Sequence, residues 1–114
     1  MTSSGPRIVI TGMGAISNLG KDANSTWAAM REGRSGITLI DGAALTQSGD
    51  HWNVKIGGQI KGWDTSGFLE HREAKRQDRF SHLGLGAAIE AVKHSGIDFS
   101  KLDSERCGVV IGSG

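Results

Sequence analysis

The sequence predicts an α/β fold, and three observations carry that expectation. The runs Ile8-Val9-Ile10 and Val109-Val110-Ile111 are each consecutive and β-branched, the pattern of strands buried on both faces of a parallel sheet. Between them, residues 78 to 95 repeat apolar side chains at spacings of three and four, the period of a helix. A third, weaker strand signal stands near the middle, so strand, helix, strand, helix, strand follow one another. Three strands make only part of a sheet.

Taken in order, the first run leads into "TGMGAISNLG", where Gly12 and Gly14 mark a turn off the strand. Asn24 or Ser25 is placed to cap a helix through Trp27, Ala28 and Met30, with Gly33 as its stop. Trp27 and Met30 share a face of that helix. Residues Gly36 to Asp50 are polar and glycine-rich without steady periodicity, and read mostly as loop. "VKIGGQI" alternates Val54, Ile56 and Ile60 with polar or glycine positions, a strand that Gly57 and Gly58 bend.

The long helix runs from Asp78 to Ser95 and closes at Gly96. Phe80, Leu83, Ala87 and Ala91 make one apolar stripe; Leu85, Ile89 and Val92 make a second. A helix apolar on most sides is expected between layers. Gly84 and Gly86 each cost about 1 kcal/mol relative to alanine in a helix, which predicts close approach of another backbone. The final run 109–111 stops in a fresh Gly-rich turn, "IGSG", which reads as a piece of a longer protein interrupted after Gly114.

Composition narrows the classes of function. The 114 residues suffice for one domain, with 37% hydrophobic and 22% charged residues, as in an ordinary globular chain. A net charge of +1 calls for neither nucleic acid nor an anionic membrane surface. The N-terminal "MTSSGP" lacks the regions of a signal peptide, and no apolar run has membrane-spanning length. With Cys107 alone, no internal disulfide is possible, and the chain reads as cytoplasmic.

The opening turn resembles a dinucleotide cradle only in part. That fingerprint wants glycine or alanine three residues after Gly14, where Ser17 stands, and an acid ending a second strand about twenty residues on. Glu32 falls near that distance but at the end of a helix. No Gly-Lys-Ser/Thr follows, so a Walker loop fails too. Cys107 has Arg106 as its only adjacent charge and no nearby histidine, which favours a buried structural thiol over a nucleophile. His51, His71, His82 and His94 lack metal-ligand spacing, and no metal is expected. His82 and His94 are expected at the edges of the long helix.

"EHREAKRQDR" is the densest charge run. Arg72, Lys75, Arg76 and Arg79 recur at three and four, so on one helix they would form a basic stripe. Such a run is most often a solvated face with weak pairs such as Glu73 with Arg76; the functional alternative is a dock for an acidic partner. The absence of interleaved aromatic residues speaks against nucleic acid.

Several segments together resemble the β-ketoacyl-acyl carrier protein synthases of the type II elongation class. These are "RIVITGMGAISNLG", "TWAAMREGRSGI", "VKIGGQIKGWD", "REAKRQDRFSHLGLGAAIEAVKHSG" and "CGVVIGSG", in the family's order and over nearly the whole chain. The least similar part is roughly Asp41 to Trp52. The resemblance implies residues 1–114 of a partial thiolase-like fold, part of the N-terminal α/β half of a five-layered αβαβα architecture. It implies a homodimeric acyltransferase of fatty-acid synthesis that condenses an acyl-enzyme with malonyl-acyl carrier protein by decarboxylation, using a cysteine and two histidines and no cofactor. Those motifs do not occur here, so no catalytic residue is expected in this chain and the piece alone should be inactive. The resemblance also implies that Arg72, Lys75 and Arg76 dock the acidic carrier protein. Two alternatives stand beside it: a non-catalytic subunit of the chain-length-factor type, and an NAD(P)-binding domain.

Overall fold

The computed structural model describes residues 5–42 and 53–112. The loop expected over residues 43–50, and His51, lie outside them. In order, the elements are helix α1 (Ala23–Arg31), strand β1 (Thr38–Leu39), strand β2 (Ile56–Gly57), the short helix α2 (His71–Ala74) and helix α3 (Arg79–Ser95). Two single turns of 3-10 helix, Phe99–Lys101 and Ser104–Arg106, follow.

Helix α1 is specified at both ends by its own sequence. Asp22, extended at φ −151° and ψ 170°, accepts a hydrogen bond from the Ser25 N–H at 2.6 Å. The Ser25 hydroxyl accepts in return from the Asp22 N–H at 3.3 Å, completing a reciprocal cap. Asp22 is therefore the cap, and Ser25, one of the two expected caps, is its partner three residues on. At the other end Gly33 takes φ 68°. The Gly33 N–H donates to Met30 O and the Arg34 N–H to Ala29 O, both at 3.0 Å, the paired bonds of a left-handed helix stop.

Helix α3 matches the expected span and closes at Gly96, φ 63°. Its inward face is Leu83, Gly86, Ala87, Glu90 and Ala91, all half-buried, at helical spacing. Its second stripe, Leu85, Ile89 and Val92, faces outward, and no α3 residue is fully buried, contrary to the expectation of a helix between layers. The close approach expected at Gly84 is absent among the described residues: none of them lies within 4 Å of a Cβ built there. At Gly86 the neighbours are side chains, with Trp63 at 2.6 Å and Ile16 at 2.7 Å from such a Cβ.

A backbone does approach α3 closely, but the glycines that permit it are Gly12 and Gly14. A Cβ on Gly12 would overlap the Ala91 carbonyl oxygen, and one on Gly14 that of Ala87. The opening segment thus lies directly on one turn of α3.

The expected sheet is not formed among the described residues. Ile8–Ile10 and Val109–Ile111 adopt no strand, and Ile8 and Val110 are 96% and 99% exposed. A strand hydrophobic on both faces is stable only with hydrogen-bonded neighbours and covering layers, and neither run has them here. The only pairing among the described residues is antiparallel, Thr38 with Gly57 and Leu39 with Ile56, extended by the Ile40 N–H to Lys55 O at 2.9 Å. Only part of the expected 54–60 strand and two residues of the expected loop are recruited. Asn18 wedges this pair against the opening segment, its Nδ2 lying 2.5 Å from where a Cβ on Gly36 would sit.

Among the described residues Ala29, in the last turn of α1, is the one fully buried apolar residue. The accessible surface is 9730 Å², where a compact chain of 12.0 kDa would expose about 6000 Å². The radius of gyration is 18.5 Å against about 13 Å for a compact domain of this length. Most apolar side chains remain in contact with water.

Candidate functional site

The basic run divides into two parts with different roles. Glu70 begins α2 with its carbonyl accepting from the Glu73 and Ala74 N–H groups at 2.9 and 3.0 Å. Helix α2 ends at Ala74, and the Arg76 N–H bonds Glu73 O while the Gln77 N–H bonds Ala74 O, at 3.0 and 3.2 Å. Helix α3 starts afresh at Arg79. The break corrects the picture of one helix carrying all four cations.

Arg79 is engaged elsewhere. Its guanidinium carbon stands 5.1 Å from the centroid of the Trp63 ring, and Nη2 donates to Ile60 O at 3.4 Å. A cation over an indole face is attracted by the ring quadrupole. Trp63 in turn packs on Phe68 at a centroid distance of 5.9 Å and fills the space left by Gly86. Arg79 therefore fastens the Ile60–Phe68 loop to α3.

Arg72, Lys75 and Arg76 remain exposed. Arg72 is on α2, Lys75 is its last capping residue and Arg76 follows directly. None of the three takes part in an ion pair among the described residues, and the expected Glu73–Arg76 pair is not formed. The short helix is held in place from behind: the His82 Nε2–H of α3 donates to Ala74 O at 3.0 Å. The result is a turn of backbone fixed on α3 with three free cations pointing to water.

The other candidates resolve differently. Cys107 is exposed, not buried as expected; it follows a 3-10 turn whose polar surface leaves no apolar cover, and its Sγ–H donates to Asp103 O at 3.4 Å. No group of three potential metal ligands assembles among the described residues. No helix among them is long and apolar enough to cross a membrane.

At the opening turn Ser17 performs the turning itself. Its Oγ accepts from the Leu19 and Gly20 N–H groups at 3.1 and 3.2 Å, using donors that a phosphate cradle would have to offer. The adjoining cleft of about 250 Å³ holds Lys21 and Lys61, but Lys61 pairs with Asp41 at 2.9 Å and Lys21 bonds Gly62 O. With Gly12 and Gly14 pressed on α3, the dinucleotide reading loses its geometry.

Sequence reasoning missed Glu90. Its Oε2 accepts from the Ala15 N–H at 2.9 Å and its Oε1 from the Ala23 N–H at 2.8 Å. The available signal was a single acid inside the apolar stretch "LGLGAAIEAV".

These features describe a segment built around a helix and carrying a cationic turn. The family model "Beta-ketoacyl synthase, N-terminal domain" matches residues 6–114, and the chain belongs to that family. It is 34% identical over 108 residues to 3-oxoacyl-[acyl-carrier-protein] synthase 2 of Vibrio cholerae, covering 95% of this chain and 25% of the relative. The protein of the same name from Staphylococcus aureus is 37% identical over 112 residues, 98% of this chain and 26% of its own length. The Synechocystis protein of that name is 34% identical over 108 residues, 95% and 25%. The chain thus spans about a quarter of the length of the curated relatives it matches.

Proposed function

We propose that this chain is the opening part of a 3-oxoacyl-acyl-carrier-protein synthase of the second type, and that its Arg72, Lys75 and Arg76 dock the acidic carrier. The whole enzyme would be a cytoplasmic, homodimeric acyltransferase of fatty-acid synthesis, condensing an acyl-enzyme with a malonyl thioester held on the carrier. In that reading Ile8–Ile10 and Val109–Ile111 become strands of a five-layered thiolase-like core. The condensing cysteine and histidines are supplied from outside this segment. Cys107 is a poor candidate: it stands at the C-terminal end of a 3-10 turn, and its one hydrogen bond among the described residues is to the Asp103 carbonyl, which does not favour a thiolate.

The observation that carries the docking reading is the division of the basic run. One cation is consumed by Trp63, and three stay exposed and, among the described residues, without an ion pair on a backbone bonded to His82. Exposed cations on a rigid support steer an anionic partner and exchange hydration for charge-assisted bonds at little ordering cost. Ordinary surface pairs would have neutralised them.

The test is charge reversal in the intact synthase. Arg72→Glu with Lys75→Glu should raise KM for carrier-linked substrates about tenfold or more while leaving kcat near wild type, because uniform binding is lost. The wild-type KM should rise with salt, and the variant's should not. Unchanged KM across a salt series would reject the dock. Loss of condensing activity in the otherwise intact wild type would favour the non-catalytic subunit instead.

A further inference from the structure

Glu90 is the only acid in the half-buried face of α3, and both its oxygens are committed to backbone donors from two other segments. Ala15 belongs to the opening segment, and Ala23 is the first residue of α1, whose N–H has no partner within the helix. A carboxylate is acceptor-only, so it suits two donors converging from different directions. It also lies at the positive end of the α1 dipole. One turn further along α3, His94 Nδ1 lies 3.1 Å from Met13 N and 3.3 Å from Met13 O. The Met13 and Ala15 amides therefore meet His94 and Glu90, while Gly12 and Gly14, alternating with them, press on the helix backbone.

We infer that Glu90 is a clasp whose closure depends on its negative charge, joining the opening segment to the start of α1. Without the charge, one of the two oxygens becomes a donor, or an amide in the glutamine variant, and faces an N–H. One of the three segments must then let go. The charged and titratable groups lining the cleft beside the clasp are Lys93 and His94 from α3; Asp22, next to Ala23, caps α1, and residues 12–16 of the opening segment carry no titratable side chain. The clasp is independent of carrier docking, since none of its atoms belongs to residues 70–79.

A double-mutant cycle on the full chain tests it, read by amide hydrogen exchange. Glu90→Gln should lower the protection of the Ala15 amide about tenfold relative to the Ala91 amide of α3, the scale of one hydrogen bond to a charged group. Ala23→Pro removes only the competing N–H. Proline is tolerated at the first helical position, and Asp22 before it is already extended, as proline requires. In the Ala23→Pro background a glutamine can turn its carbonyl to Ala15 with no donor opposing its amide. There Glu90→Gln should cost less than about threefold. Equal losses in both backgrounds, or no loss in either, would overturn the clasp. Should Glu90→Gln alone fail to fold, the double variant decides: restored folding supports the clasp, and continued failure rejects it.

Discussion

Helix α1 and the run Val109–Ile111 make an instructive contrast. Both are short and both carry side chains that the sequence marks as structural. Helix α1 closes its backbone hydrogen bonds with residues at most five positions away, plus the one carboxylate of Glu90. The run has no local way to satisfy its donors and acceptors, and it stays exposed without a ladder. Helices are specified by near neighbours, whereas a parallel strand needs partners brought from a distance.

The largest effect should follow from placing a charge in the second region. Val110→Lys in the 114-residue chain should change thermal stability by no more than about 0.5 kcal/mol, because the side chain is already in water. In the intact synthase, where the proposed core would bury it, the same change should cost about 3–5 kcal/mol as an unpaired buried charge. Parallel melts of the two proteins make the comparison. Equal shifts would mean that Val110 is exposed in both, and the proposed strand would be lost.

The same contrast separates what was legible in the sequence from what was not. Helix α3 and its closure at Gly96 follow from period and from a glycine able to adopt φ 63°. The stop of α1 at Gly33 was equally plain. The cap was misplaced because Asp22, Asn24 and Ser25 all have capping side chains, and only geometry distinguishes them. The glycines of the opening turn were readable as a departure from the dinucleotide pattern, yet their contact with Ala87 and Ala91 spans more than seventy residues and has no local signature. The docking candidates Arg72, Lys75 and Arg76 came from resemblance. That Arg79 should be set apart from them depended on Trp63, sixteen positions away.

A smaller effect divides the two glycines within α3. Gly86→Ala should destabilise by about 1–3 kcal/mol, since the new methyl meets the Trp63 ring at 2.6 Å and forces it off Arg79. Gly84→Ala has open space around it and should stabilise the helix by about 0.5–1 kcal/mol. Denaturant midpoints at constant m would read both. A stabilising Gly86→Ala would show that Trp63 does not occupy that face.

The smallest effect is at the local end of the comparison, in the cap of α1. The Asp22 carboxylate is held below the usual aspartate range, first by the Ser25 backbone N–H and then by the Ser25 hydroxyl. Because its folded pKa is depressed, its contribution is fully present above the unfolded aspartate pKa, about 3.9, and fades as pH falls through the lower folded value. Asp22→Ala should therefore cost about 1 kcal/mol near neutral pH, the ordinary worth of a cap. Protonation weakens the wild-type cap on the acid side, so the gap between the two proteins should narrow there. Denaturant melts at pH 7 and pH 3 compare them directly. A gap that widened on acidification would mean that Asp22 acts through some group other than the two donors of Ser25. A constant gap would mean that the cap works as well protonated as ionised, leaving the charge of Asp22 without a part in starting α1.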